Sequence, residues 1–342
     1  GKYTEILRVI DRCLKEGSGV INVGSPELPC LKDIPRLLST PSHTAYLKIS
    51  EGCSNCCTYC IIPQLRGRHV SRPIDDLLAE AQQLVDGGVR EIILVGQDIT
   101  RYGTDLGSGL SLAKLLKELV KIPKLAWLRL LYCYPNRITD ELIETIEQEE
   151  KICNYLDIPI QHINPAILKR MNRHFSPLEI RNMISKLRER IPDVVLRTSF
   201  IVGFPGEGEQ EFKELLDFVE EIQFDRAGVF TYSKEEGTVA AGFPEQVDEE
   251  IKERRKSALM SVQRKISKRL NRKRVGRIYR VLIESVQPDD IYAGRTYGEA
   301  PEIDQQVYVI SKSPLKVGDF AEVKITKAYD YDLLGETYES GK

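Results

Sequence analysis

The 342-residue sequence predicts an α/β fold: a partial, TIM-like (β/α)6 barrel followed by a small antiparallel β-barrel. Three observations carry this. Six apolar, strand-like runs alternate with amphipathic helical runs from about residue 45, which implies a parallel sheet joined by crossover helices. The chemically unusual residues fall after the strands, and a barrel gathers all strand C-termini around one mouth. Beyond about residue 275 the texture changes to short alternating strands with Asp, Gly and Pro turns.

The strand-like runs are AYLKIS (45–50), EIILV (91–95), WLRLLYC (127–133), YLDIPI (155–160), VVLRTSFIV (194–202) and AGVFTY (227–232). Between the first two lies DDLLAEAQQLVDGG, with Leu77, Leu78, Ala81, Leu84 and Val85 on one helical face and a glycine stop at Gly87 and Gly88. Six units rather than eight suggest an open or partial barrel. A doubly wound open sheet shows the same alternation but would spread the unusual residues apart. The expected boundaries are a linker over 1–44, with turn chemistry around Pro26, Pro29 and Pro35, the larger barrel over 45–272 and the small barrel over 273–342. The linker reads as leading from a preceding domain.

No apolar run is long enough to span a bilayer, and the opening GKYTEILRVIDRC is a charged amphipathic pattern rather than a secretory signal. A cytoplasmic location is expected. There, clustered cysteines more often bind metal or do redox chemistry than form disulfides. Four of the eight cysteines sit in EGCSNCCTYC, Glu51 to Cys60. Two spacings compete: C-x3-C-x2-C uses Cys53, Cys57 and Cys60, whereas C-x2-C-x3-C uses Cys53, Cys56 and Cys60. Either gives three thiolates on one loop, enough for three corners of an iron-sulfur cubane with the fourth iron open. Structural zinc would need a second, separated ligand pair. Cys13, Cys30, Cys133 and Cys153 are all single.

This loop, with CTYC after the first strand of a parallel barrel, resembles the radical S-adenosylmethionine (SAM) superfamily. The run ISEGCSNCCTYCIIPQLRGRHVSRP, then VGQDITRYGTDL, IPIQHINPAILKRMNR, RTSFIVGFPGE and FTYSKEEGT is similar to its methylthiotransferase family, and the small barrel resembles the TRAM module. The resemblance implies that Cys53, Cys57 and Cys60 hold a 4Fe-4S cluster whose open iron is chelated by SAM, and that one electron then yields a 5′-deoxyadenosyl radical. It makes Tyr59 a neighbour of the cofactor and Cys56 a variable position. Gly96, Gln97 and Gln161, at strand ends, are the further expected cofactor contacts. Arg197, a charge inside an apolar strand, is expected to meet a carboxylate: that of SAM, or internally Asp157 or Glu207. His162 is read as a satisfied polar residue and the GFPGE turn as a tight turn that either approaches a ligand or is structural. Arg66 and Gly67 could shield the cluster.

QDITRYGTD and YGEAPEIDQQV resemble the branch that modifies the β-carbon of an aspartate in small-subunit ribosomal protein S-twelve; the alternative is the branch acting on a transfer-RNA adenosine. Residues 275–342 carry eight Lys or Arg against twelve Asp or Glu, net −4. A nucleic-acid-binding barrel should be basic, so an acidic one better suits a basic protein. From Ile251 to Arg274, by contrast, there are eleven Lys or Arg and a single Glu, a helix able to touch ribosomal RNA. The resemblance also implies an electron donor such as flavodoxin or ferredoxin, and a second 4Fe-4S cluster on an N-terminal domain with three more cysteines. Cys13 and Cys30 cannot replace that set. This chain alone is therefore expected to bind one cluster and cleave SAM without completing methylthiolation.

Overall fold

The computed structural model describes residues 5–17, 19–22, 37–107 and 109–339. Cys30 and the stretch 23–36, part of the expected linker, lie outside them. Ahead of the sheet stands one helix, α1 (Ile6–Glu16), stopped by the left-handed Gly17. Then come β1 (Thr44–Lys48), the short pair β2 (Ser50–Glu51) and β3 (Val70–Ser71) flanking α2 (Ile62–Arg66), α3 (Ile74–Asp86), β4 (Glu91–Val95) and α4 (Leu112–Leu119). They are followed by β5 (Trp127–Leu130), α5 (Asp140–Gln148), β6 (Ile152–Asp157), α6 (Pro165–Arg170), α7 (Pro177–Arg190), β7 (Val195–Val202), α8 (Glu209–Ile222), β8 (Arg226–Thr231) and α9 (Glu249–Arg272). Strands β9 (Ile278–Val286), β10 (Ile291–Arg295), β11 (Val307–Ile310), β12 (Phe320–Ala328) and β13 (Leu333–Thr337) complete the chain.

Strands β1, β4, β5, β6, β7 and β8 form one sheet in that order, every pairing parallel, so the larger barrel is open. Helix α3 buries Leu77, Ala81, Leu84 and Val85 against it, with Asp75 and Asp76 complementing its N-terminal dipole. The left-handed stop falls at Gly88 (φ 104°), while Gly87 stays right-handed. Two strands differ from expectation. The third ends at Leu130 because Tyr132 turns left-handed (φ 63°). The fourth starts at Ile152 and ends at Asp157, just short of Pro159, which has no N–H to give a ladder. No helix among the described residues is long and apolar enough to cross a membrane.

The C-terminal strands close a barrel in the order β10-β11-β13-β12-β9 around Val281, Ile283, Val307, Val309, Val323 and Ile325. It is not wholly antiparallel: β11 and β13 run parallel, because β12 lies on the far side of β13 and returns to it as a hairpin. This barrel docks against the starting ends of the parallel strands. Trp127 at the head of β5 packs on Phe320 (ring centroids 4.8 Å), and Arg226 at the head of β8 pairs with Glu299 at 3.1 Å. Glu91, the first residue of β4 and fully buried, meets Arg129 at 2.7 Å and Arg295 at 2.6 Å. The opposite rim of the sheet is left to the cysteine loop.

Candidate active site

The loop begins where β1 ends. Strands β2 and β3 pair Ser50 with Ser71 and Glu51 with Val70, closing the loop at its base. Gly52 is left-handed (φ 72°), and a Cβ there would lie 2.2 Å from the Arg68 carbonyl oxygen, so only glycine fits. Cys53 N donates to the Gly67 carbonyl at 3.1 Å, the contact that Gly67 makes with the loop. The far side is tied to the end of α6. Thr58 N donates to the Met171 carbonyl (3.1 Å), Thr58 Oγ1 to the Arg170 carbonyl (2.7 Å), and Asn172 Nδ2 to the Cys56 carbonyl (2.8 Å).

The loop encloses a cavity of about 570 Å³ at the C-terminal mouth of the sheet. Cys53, Cys57 and Cys60 line it, with the fully buried Cys133 on the wall beyond β5; Cys56 is exposed, left-handed (φ 52°) and absent from the wall. Burial raises the thiol pKa of Cys53 and Cys60, and the nearby Cys57 raises both further. Such thiols keep their protons until a cation replaces them. Among the described residues, no three His, Cys, Asp or Glu side chains converge as ligands of a single metal ion. A cubane asks something different, one thiolate for each of several irons.

Tyr59, Gly96, Gln97 and Gln161 share the same cavity. Burial pushes the Tyr59 phenol well up, so it stays neutral. Gly96 lets the end of β4 approach Ser50, whose Oγ would be 2.6 Å from a Cβ. Gln97 Nε2 donates to Glu51 at 3.5 Å. The side-chain oxygens of Gln97 and Gln161 are buried without partners, two acceptors left for a ligand with amine or hydroxyl donors. Gln161 holds a left-handed φ of 74°, and Tyr132 on the same wall holds 63°. Strain in non-glycine residues of this kind is kept where the surroundings fix it, often at functional sites. Three cysteines, unfilled acceptors and a volume within the range of cofactor sites fit a cluster and SAM together.

Arg197 departs from the expected cofactor contact. Its guanidinium pairs with Asp157 at 2.7 Å and lies 3.8 Å from Asp304, outside the cavity lining. Asp157 in turn accepts a hydrogen bond from Tyr132 N at 3.1 Å, so Arg197 reaches the cavity only through that wall. Glu207, the other internal candidate, instead pairs with Arg255 at 2.9 Å and stands 3.3 Å from His162. His162 is fully buried and accepts from Asn164 N at 3.0 Å, a structural role. The GFPGE turn is structural too: a Cβ at Gly203 would meet Lys252 at 2.2 Å. Arg173 was not singled out from the sequence, yet its buried guanidinium lines the cavity with Nη1 3.8 Å from Cys57 Sγ. Only its place as the last residue of IPIQHINPAILKRMNR could have drawn attention to it.

Residues 47–219 match the Radical SAM superfamily and residues 275–337 the TRAM domain. Fold and site together define a radical SAM protein. Ribosomal protein uS12 methylthiotransferase RimO of Clostridioides difficile (strain 630) is 50% identical over 96% of this chain and 74% of its own length. The protein of that name from Geotalea uraniireducens (strain Rf4) is 52% identical over 98% of this chain and 75% of its own. The chain belongs to this methylthiotransferase family. Among solved structures, coproporphyrinogen III oxidase (HemN) from Escherichia coli, a radical SAM enzyme, aligns with a TM-score of 0.48 at 17% identity over 74% of this chain and 66% of that one. That likeness is too distant to carry an argument.

Proposed function

We propose that this chain is the radical SAM part of an enzyme that adds a methylthio group to the β-carbon of an aspartate in ribosomal protein uS12. The observation that carries the reading is the convergence of Cys53, Cys57 and Cys60 on one cavity while Cys56 turns away. When bound there, a 4Fe-4S cluster and SAM supply the one-electron cleavage that yields a hydrogen-abstracting radical. The protein's own part is to hold and enclose. The three thiolates would anchor the cluster, Gln97 and Gln161 would accept hydrogen bonds from SAM, and Tyr59 would pack beside it. Tyr132 and Tyr134 form part of the wall beside the reacting centre.

The acidic C-terminal barrel suits a basic ribosomal protein, gripped at the end of the molecule away from the cavity. Arg264, Lys265, Arg269, Arg272 and Lys273 lie exposed along α9 and would meet ribosomal RNA. Elsewhere in the run Lys252, bonding the Tyr232 carbonyl at 3.0 Å, and Arg255, pairing with Glu207, are buried, whereas Arg254 is exposed and pairs with Glu209 at 3.2 Å. A flavodoxin or ferredoxin in the cytoplasm would provide the electron. We further propose that the sulfur comes from a second 4Fe-4S cluster on another domain.

The test is anaerobic reconstitution of the full-length enzyme with SAM and either uS12 or transfer RNA, followed by mass analysis. A methylthio group on a uS12 aspartate is expected. Modification of transfer RNA alone, or zinc with no release of 5′-deoxyadenosine, would overturn the reading.

A further inference from the structure

We propose that Arg173 is the buried charge partner of the cluster, donating a hydrogen bond to the Cys57 sulfur and making one-electron reduction of the cluster easier. The inference rests on Cys57 being a ligand. The Arg173 guanidinium is 4.4 Å from the Tyr134 ring and 5.0 Å from the Phe175 ring, which clamp its plane. Nη2 donates to the Pro159 carbonyl and Nη1 to Cys57 Sγ at 3.8 Å, while Nε is buried without a partner. Among the described residues, no ion pair to a carboxylate is made by this side chain, although Arg173 is only 7% exposed.

A buried guanidinium without an anion is costly. The neighbours that face it are two phenols, Tyr59 and Tyr134, and the thiol of Cys57. Iron binding turns the third into a thiolate and so supplies the anion. Reduction then adds one electron from an external low-potential donor, and with it one more negative charge, to the group that Arg173 faces. A fixed cation and an N–H···S bond stabilise the reduced form more than the oxidised form. The midpoint potential is therefore higher with Arg173 than without it.

Potentiometric titration of the anaerobically reconstituted chain with dithionite, without SAM, tests this. Arg173→Met should keep four irons but reduce at least tenfold less favourably, about 59 mV more negative for a one-electron couple. Arg173→Lys, which keeps the charge, should recover most of that shift. If Arg173→Met loses iron, Arg173→Gln takes its place in the titration and should show the same negative shift. An unchanged midpoint, or equal effects of both substitutions, would overturn it. Failure of the ligand reading is separate: a Cys57→Ala chain would then keep its cluster.

Discussion

Cys56 and Cys57 are adjacent, yet one is exposed and the other lines the cavity beside Arg173. The left-handed Cys56 makes the difference, since it swings the next side chain inward. Two further thiols are fully buried. Burial pushes Cys153 up to about 12 and Cys133 well above the usual thiol range, leaving both unreactive. In the apoprotein at pH 8, iodoacetamide should label Cys56 and leave Cys133 and Cys153 unlabelled, as peptide mass mapping would show. Gln97→Ala should leave iron content unchanged and weaken SAM binding several-fold, about 1 kcal/mol, measured by equilibrium binding to the reconstituted chain. Unaltered affinity would remove Gln97 from the site. The sequence exposed Gln97 because it follows closely on an apolar strand, β4, which ends at Val95. Arg173 stayed hidden because its role depends on Tyr134 and Phe175, which only the fold brings to it.

At the scale of elements, the cysteine loop is a closed structure fixed at its base by β2 and β3 and on its far side by the end of α6. Gly52 is the point where least can change, because its Cβ would enter the Arg68 carbonyl. Gly52→Ala should destabilise the chain by about 1–3 kcal/mol. Iron retention should fall with it, read by thermal unfolding and iron analysis. The six parallel strands were legible because each is an apolar run bounded by turn residues. Their ends were less so. A non-glycine residue with positive φ, such as Tyr132 or Gln161, carries no local signature and is imposed by tertiary packing. The small barrel was visible as a set of alternating strands, but the parallel β11–β13 pairing depends on which strand returns beside which.

At the scale of the whole molecule, buried ion pairs join the two barrels. Burial alone would raise the Glu91 pKa, but Arg295 and Arg129 outweigh it and hold the carboxylate down from 4.5 to about 2. Glu299 is held near 2 in the same way by Arg274 and Arg226. Because both folded values lie below the unfolded ones, their stabilisation is complete above pH 4.5 and is lost as the pH falls towards 2. Acid unfolding followed by circular dichroism should accordingly steepen across that interval. Glu91→Gln should flatten it and cost about 3–5 kcal/mol at neutral pH, leaving Arg129 without its anion and Arg295 with Glu284 alone. The sequence showed two barrels but not how they meet, since Glu91, Arg129 and Arg295 each look like an isolated charge in an apolar strand. The central claim remains the division among the loop cysteines. Its most direct measurement is iron content and 5′-deoxyadenosine release after anaerobic reconstitution and reduction of the parent chain, Cys56→Ala and Cys57→Ala. The parent and Cys56→Ala should hold about four irons and release the nucleoside, and Cys57→Ala should do neither. A cluster kept by Cys57→Ala and lost by Cys56→Ala would contradict the account.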